Sequence, residues 1–393
     1  MRALVFRSAV VAGVFLLAPA AARAYAPSAD VCARDGTILY AEIPDRSGQM
    51  ASPKSPTQAG IDALGSASVA AVNLRDLMTD QRVCPVADFS ALSRVQPLDT
   101  IIELPTECLQ AFARTAHLPA LRQIQVMCGD DKTIDLRDLA AFPTLETVRL
   151  DYGCRHGPTG LAPLAALPRL RTLLDPDSGR VDGVDALTKL TNLAIGTNDG
   201  AIAPIAKLPG LRGLALDLHA ATDLTQLGQH AALEELIVHS SVAAPLDVAP
   251  LGNLTSLRRL AIHTDVVAHA AALANLHALC MLDLGDVNRG TEVVALASLN
   301  RLQSLALGVT GASSLAPLSR LQALKEVELR SGCEQTLVDL APLAGLPRLS
   351  HLFLDGAMKV KNGKRLASKT QRQLPRHCGG HHGGVWIRRS PPT

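Results

Sequence analysis

Hydrophobic residues fall on a fixed beat along most of this chain. In Leu161-Ala-Pro-Leu-Ala-Ala-Leu-Pro-Arg-Leu170-Arg-Thr-Leu173 a leucine recurs at every third residue, a spacing that neither an isolated helix nor an isolated strand requires. The phrase returns as Leu340-Ala-Pro-Leu-Ala-Gly-Leu-Pro-Arg-Leu349-Ser-His-Leu352-Phe-Leu354, and again as Val248-Ala-Pro-Leu-Gly-Asn-Leu-Thr-Ser-Leu257-Arg-Arg-Leu260-Ala-Ile262. Such self-similarity marks a stacked repeat protein, in which each unit buries its apolar face against its neighbours.

The recurring core is Leu-x-x-Leu-x-Leu, with Ile or Val allowed. Copies start at Leu121, Leu145, Leu170, Leu190, Leu211, Leu233, Leu257, Leu279, Leu302, Leu324 and Leu349. Their mean spacing is about 23 residues, inside the window of leucine-rich repeats. Alternation along a strand sends the fourth and sixth positions into the core and the third, fifth and seventh to the opposite face. Pro163, Pro204, Pro250, Pro317 and Pro342 lie in the return segments. Proline breaks a full helix, so short 3₁₀ turns are expected there. The predicted fold class is α/β: a leucine-rich repeat solenoid, with a parallel β-sheet on the concave face and short 3₁₀ turns or helices on the convex face.

The Leu-x-x-Leu-x-Leu phrases, together with Pro-Leu-Gly-Asn-Leu-Thr-Ser-Leu at 250–257, resemble the internalin-type repeats of bacterial surface proteins. The resemblance covers about 98–357 and implies the fold more than any one function. Such families usually place Asn at the ninth position. Here that position holds Gly129, Gly153, Ser178, Asn198, His219, Ser241, Asp265, Val287, Thr310, Gly332 and Ala357. Other polar groups or water must therefore satisfy the interior backbone. No Leu-Pro-x-Thr-Gly anchor follows the repeats, which argues against attachment to a Gram-positive wall.

The flanks read differently. Residues 1–24 form a signal peptide: Arg2 and Arg7 precede an apolar Ser8–Ala18, and Ala22-Arg23-Ala24 supplies a cleavage site. This predicts a secreted or periplasmic protein without a membrane span. Residues 25–97 read as an irregular N-terminal cap, with Val69–Leu74 as a degenerate first strand. Residues 98–357 form the solenoid, and 358–393 a basic, disordered tail.

Charge sharpens this division. The net charge of +2 and the 38 basic against 36 acidic residues hide a tail with no acid and a body in which acids exceed bases. The tail could therefore meet an anionic envelope surface. Aromatic residues make up only 3% of the chain against 48% hydrophobic, so the core is built of Leu, Ala and Val. Nothing points to a cofactor or to nucleic acid. There is no Gly-x-Ser-x-Gly, phosphate-binding glycine loop or His-Glu-x-x-His, which argues against an enzyme.

Candidate binding residues come from the face opposite the core. Fifth positions Leu174, Ala194, Ala215, Ile237 and Ala261 form an apolar stripe, which is expected to face solvent. The third positions Thr172, Asn192, Gly213, Glu235 and Arg259 line its margin. An apolar centre with a polar rim has the anatomy of an interface, so Leu174, Asn192, Ala215, Glu235, Ile237, Arg259 and Ala261 are the candidates for contacting a protein partner. Seventh positions Asp217, His239 and His263 form a candidate metal row, and His377, Cys378, His381 and His382 form a second. Among eight cysteines, Cys128 and Cys154 leave adjacent rungs at nearly the same point and are expected to pair. Cys32 with Cys84 and Cys333 with Cys378 are further candidate pairs, while Cys280 has no obvious partner.

Overall fold

A computed structural model describes residues 50–78, 83–128, 133–151, 154–156, 160–176, 179–285, 293–309, 314–331, 336–355, 358–362 and 385–388. The chain divides into two units, one spanning residues 41–226 and one built on residues 227–393.

The N-terminal unit carries eight parallel strands in sequence order: β1 (Met50–Ala51), β2 (Ala71–Asn73), β3 (Thr100–Pro105), β4 (Gln123–Met127), β5 (Thr147–Asp151), β6 (Thr172–Asp175), β7 (Asn192–Thr197) and β8 (Gly213–Leu218). Leu190, Leu193 and Ile195 stack on Leu211, Leu214 and Leu216, and all six are buried. This one-rung offset is what the repeat encodes: equivalent leucines meet on neighbouring strands. One inward sixth position departs from the pattern, because Asp175 is fully buried where other rungs hold Val, Leu or Ile. A second irregularity lies in β3. There the register slips between Ile101 and Leu104, and Glu103 takes a left-handed φ of 53°. The inserted residue is a bulge.

The C-terminal unit repeats the plan with β9 (Glu235–Ser240), β10 (Arg259–His263), β11 (Met281–Asp283), β12 (Ser304–Gly308), β13 (Glu326–Arg330) and β14 (His351–Asp355), all parallel. A last strand, β15 (Val385–Arg388), pairs antiparallel with β14. Met358–Lys361 pairs parallel with Thr336–Asp339. The segment expected to be disordered therefore supplies two strands among its described residues. Apolar residues alternate with lysine in Met358-Lys-Val360-Lys361 and run together in Val385-Trp-Ile387, a strand-forming pattern that the surrounding basic composition concealed.

Most described return segments are short 3₁₀ helices of three to six residues. Proline stands within the first two positions of Ala162–Ala166, Ala249–Asn253 and Ala316–Arg320, where a missing N–H costs nothing. The N-terminal unit also holds two α-helices, Gln58–Leu64 and Thr106–Thr115. The latter buries Cys108, Leu109 and Phe112. Phe112 meets Phe89 at a ring-centroid distance of 5.3 Å and Phe142 at 5.2 Å, so half of the six phenylalanines fill this one region.

Backbone pairing between rungs continues past the ends of several strands. Cys128 N–H donates to Asp151 O at 3.1 Å, Asn198 N–H to Gly179 O at 2.9 Å and Val309 N–H to Arg330 O at 2.7 Å. Cys128 is joined to Cys154 as expected. The other expectations for described cysteines are corrected. Cys84 pairs with Cys108, not Cys32, because the helix Thr106–Thr115 brings the two Cα atoms within 4.8 Å. Cys280 is itself disulfide-bonded. The pairing of Cys333 with Cys378 lies outside the described residues, as do the signal peptide and the His377–His382 cluster.

Candidate interaction surface

Each sheet has one face packed on its leucine core and one open face lined by the third, fifth and seventh positions. On the N-terminal unit, Gln125, Arg149 and Leu174 stand in register at the fifth position. Thr172, Asn192 and Gly213 follow one another at the third, and Leu174, Ala194 and Ala215 at the fifth. On the C-terminal unit, Glu235, Arg259 and Met281 occupy the third position, and Ile237, Ala261 and Asp283 the fifth.

The expected solvent-facing apolar stripe is corrected by burial. Ala215 is only 1% exposed and Ile237 only 3%, while Ala261 and Glu235 are also buried. Alternation fixes only which face a side chain leaves; side chains on the adjacent strands, about 4.8 Å away, decide whether it meets water. Leu174, Asn192 and Arg259 remain half-buried and reach the surface. Asn192 donates to Thr172 Oγ1 at 3.3 Å, and its own Oδ1 is buried without a hydrogen-bond partner among the described residues.

Two polar networks border these small residues. On β5, Arg149 Nε donates to Asp151 Oδ1 at 2.9 Å and Oδ2 at 3.0 Å, and Gln125 donates to the same Asp151. On β13, Arg330 Nε donates to Glu328 Oε1 at 2.8 Å, and its Nη1 to Asp283 Oδ1 at 3.0 Å. Gly308 and Ala306, on the strand between Asp283 and Arg330, leave room for the guanidinium to cross. None of these residues was among the sequence candidates, which stopped at Leu174 and Ala261. The available signal was the pairing of opposite charges two residues apart, Arg149 with Asp151 and Glu328 with Arg330, which places both on one face of a strand.

The histidine row is brought together in part. His239 and His263 are in register on β9 and β10, with ring centroids 4.5 Å apart. The acid beside them is Asp283, 3.7 Å from His263 Nε2. Asp217 lies on the N-terminal unit, where His219 Nε2 stands 3.5 Å from its Oδ2. Burial, then the neighbouring His263, pushes the His239 imidazole down to about 4, with Asp283 opposing. Among the described residues no group of three or more His, Cys, Asp or Glu is placed to hold a metal ion.

Leucines stacked rung on rung, a parallel sheet and 3₁₀ returns define a leucine-rich repeat fold. No family model matches the chain. Among solved structures, it is similar to an internalin (inlF) from Listeria monocytogenes, with a TM-score of 0.55 and 22% identity over 77% of this chain and 85% of that one. A leucine-rich repeat protein of Leptospira interrogans gives a TM-score of 0.46 and 15% identity over 78% of this chain and 83% of that one. An uncharacterised protein of Caenorhabditis elegans is 35% identical over 85 residues, which is 21% of this chain and 18% of that protein. The match thus spans under a fifth of that curated relative.

Proposed function

We propose that this protein is a non-catalytic binding module that engages a protein partner through the open faces of its sheets. One observation carries the reading. On the faces away from the leucine core, half-buried side chains such as Leu174 and Asn192 on one unit, and Arg259 and Met281 on the other, accompany polar groups already held by hydrogen bonds. Side chains fixed before contact lose little freedom on binding, which favours recognition. The similarity to an internalin supports the fold on which this reading rests. The test is capture of proteins from the source organism by the wild type and by Leu174→Glu, which melts normally if the side chain reaches solvent. Retention of every captured partner by the folded variant would move the surface elsewhere.

The compartment belongs to the same proposal. Cys84–Cys108 and Cys128–Cys154 favour an oxidising environment, and residues 1–24 read as a secretion signal. N-terminal sequencing of the protein recovered from cells and medium checks this. A retained Met1 would count against export by cleavage after Ala24. Attachment to anionic surfaces through the tail is the second reading, favoured by nine Lys or Arg and no acid in residues 358–393. It predicts binding to anionic vesicles that weakens steeply with salt.

A further inference from the structure

We propose that Arg149 is an anchoring residue for a carboxylate on an acidic segment of the protein partner, received on the Nη1/Nη2 edge of its guanidinium. The proposal rests on the binding-module reading and specifies the chemistry of the partner. Arg149 stands at the fifth position of β5, between Gln125 and Leu174 in register. Its Nε edge is occupied by both oxygens of Asp151, which Gln125 holds from the other side. The side chain is therefore fixed, with only 9% of its surface exposed.

The opposite edge is open. Nη1 and Nη2 donate to no protein group among the described residues, and neither is among the fully buried unpartnered atoms. A guanidinium presents two parallel N–H groups on that edge, a fork that matches the two oxygens of a carboxylate.

The protein supplies its own precedent. Arg330 on β13 is held on its Nε edge by Glu328, two residues away on the same strand, as Arg149 is held by Asp151. The Nη edge of Arg330 is filled by the carboxylate of Asp283, at 3.0 Å to Nη1 and 3.4 Å to Nη2. What closes the fork on one unit has no counterpart among the described residues of the other. Nor, among the described residues, do the neighbouring acids of the N-terminal unit fill it. Asp151 sits on the Nε edge, and Glu103 accepts from Asn73 at 2.8 Å and from Arg75 at 3.5 Å. Thr147, Thr172 and Gln123 nearby are half-buried and neutral, so they offer hydrogen bonds without repelling an acid.

The experiment is selection of a displayed random peptide library on the full wild-type chain, followed by Kd measurement for enriched peptides. Enriched peptides should carry Asp, Glu or a free C-terminal carboxylate. Replacing that group by its amide should weaken binding to the wild type at least tenfold. Arg149→Lys, which keeps the charge but loses the fork, should weaken it similarly once melting shows the variant folded. The amide arm needs no protein variant, so it decides the question even if Arg149→Lys fails to fold. Enrichment of no peptide, or of peptides indifferent to the amide change, would overturn the proposal. Peptides that ignore the amide change but are lost with Leu174→Glu would overturn it while leaving the binding-module reading intact.

Discussion

His239 and His263 occupy the same register on adjacent strands, and their rings meet at a centroid distance of 4.5 Å. Two imidazoles this close cannot both take a proton cheaply, and burial of His239 adds to the cost, which is why its pKa falls to about 4. In the unfolded chain the same group titrates near 6.5. Between those values the unfolded state binds a proton that the folded state refuses, so stability falls as pH drops through that window and falls no further below it. The loss from this residue is on the order of 1–3 kcal/mol, discounted for its partial exposure. His239→Asn should flatten the dependence of Tm on pH between 6.5 and 4. An unchanged slope would show that the site titrates as an ordinary surface histidine.

Ile237→Glu is expected to destabilise the protein by about 2 kcal/mol or more, because a 3%-exposed position cannot solvate a carboxylate. Urea melting measures it. A change within about 0.5 kcal/mol would mean that the open face is wetter than its packing implies.

Arg330→Met should cost about 3–5 kcal/mol, since Asp283 and Glu328 would lose the cation they share while remaining buried. Adding Glu328→Gln to that variant should restore part of the loss, a non-additivity that a double-mutant cycle reads directly. Simple additivity would show that the network is not coupled.

Peptide mapping under non-reducing conditions should recover Cys84 with Cys108 and Cys128 with Cys154, and should find Cys280 linked to Cys32, Cys333 or Cys378. The sequence separations of 24 and 26 residues correspond to about 3.5 kcal/mol of stabilisation each on chain-entropy grounds. Reduction should therefore lower the urea midpoint clearly. Alkylatable thiols at Cys84 or Cys108 in native protein would refute that pair.

The chain by itself determined the repeat fold. A period of about 23 residues and the leucines at the first, fourth and sixth positions have few other solutions, since only stacking hides them all. It also placed the 3₁₀ returns, through Pro163, Pro250 and Pro317, and paired Cys128 with Cys154, because both are local to adjacent rungs. The tertiary structure decided what depends on neighbours along the stack. Alternation says that Ile237 points away from the core, but only the flanking side chains decide whether it meets water. Arg330 reaches Asp283, 47 residues earlier, because the strand between them offers Ala306 and Gly308. The fork of Arg149 is open because, among the described residues, no such carboxylate stands opposite it. Side-chain direction is a property of one strand, whereas burial and pairing are properties of three, and that is the reason the fold was legible from the sequence while the surface was not.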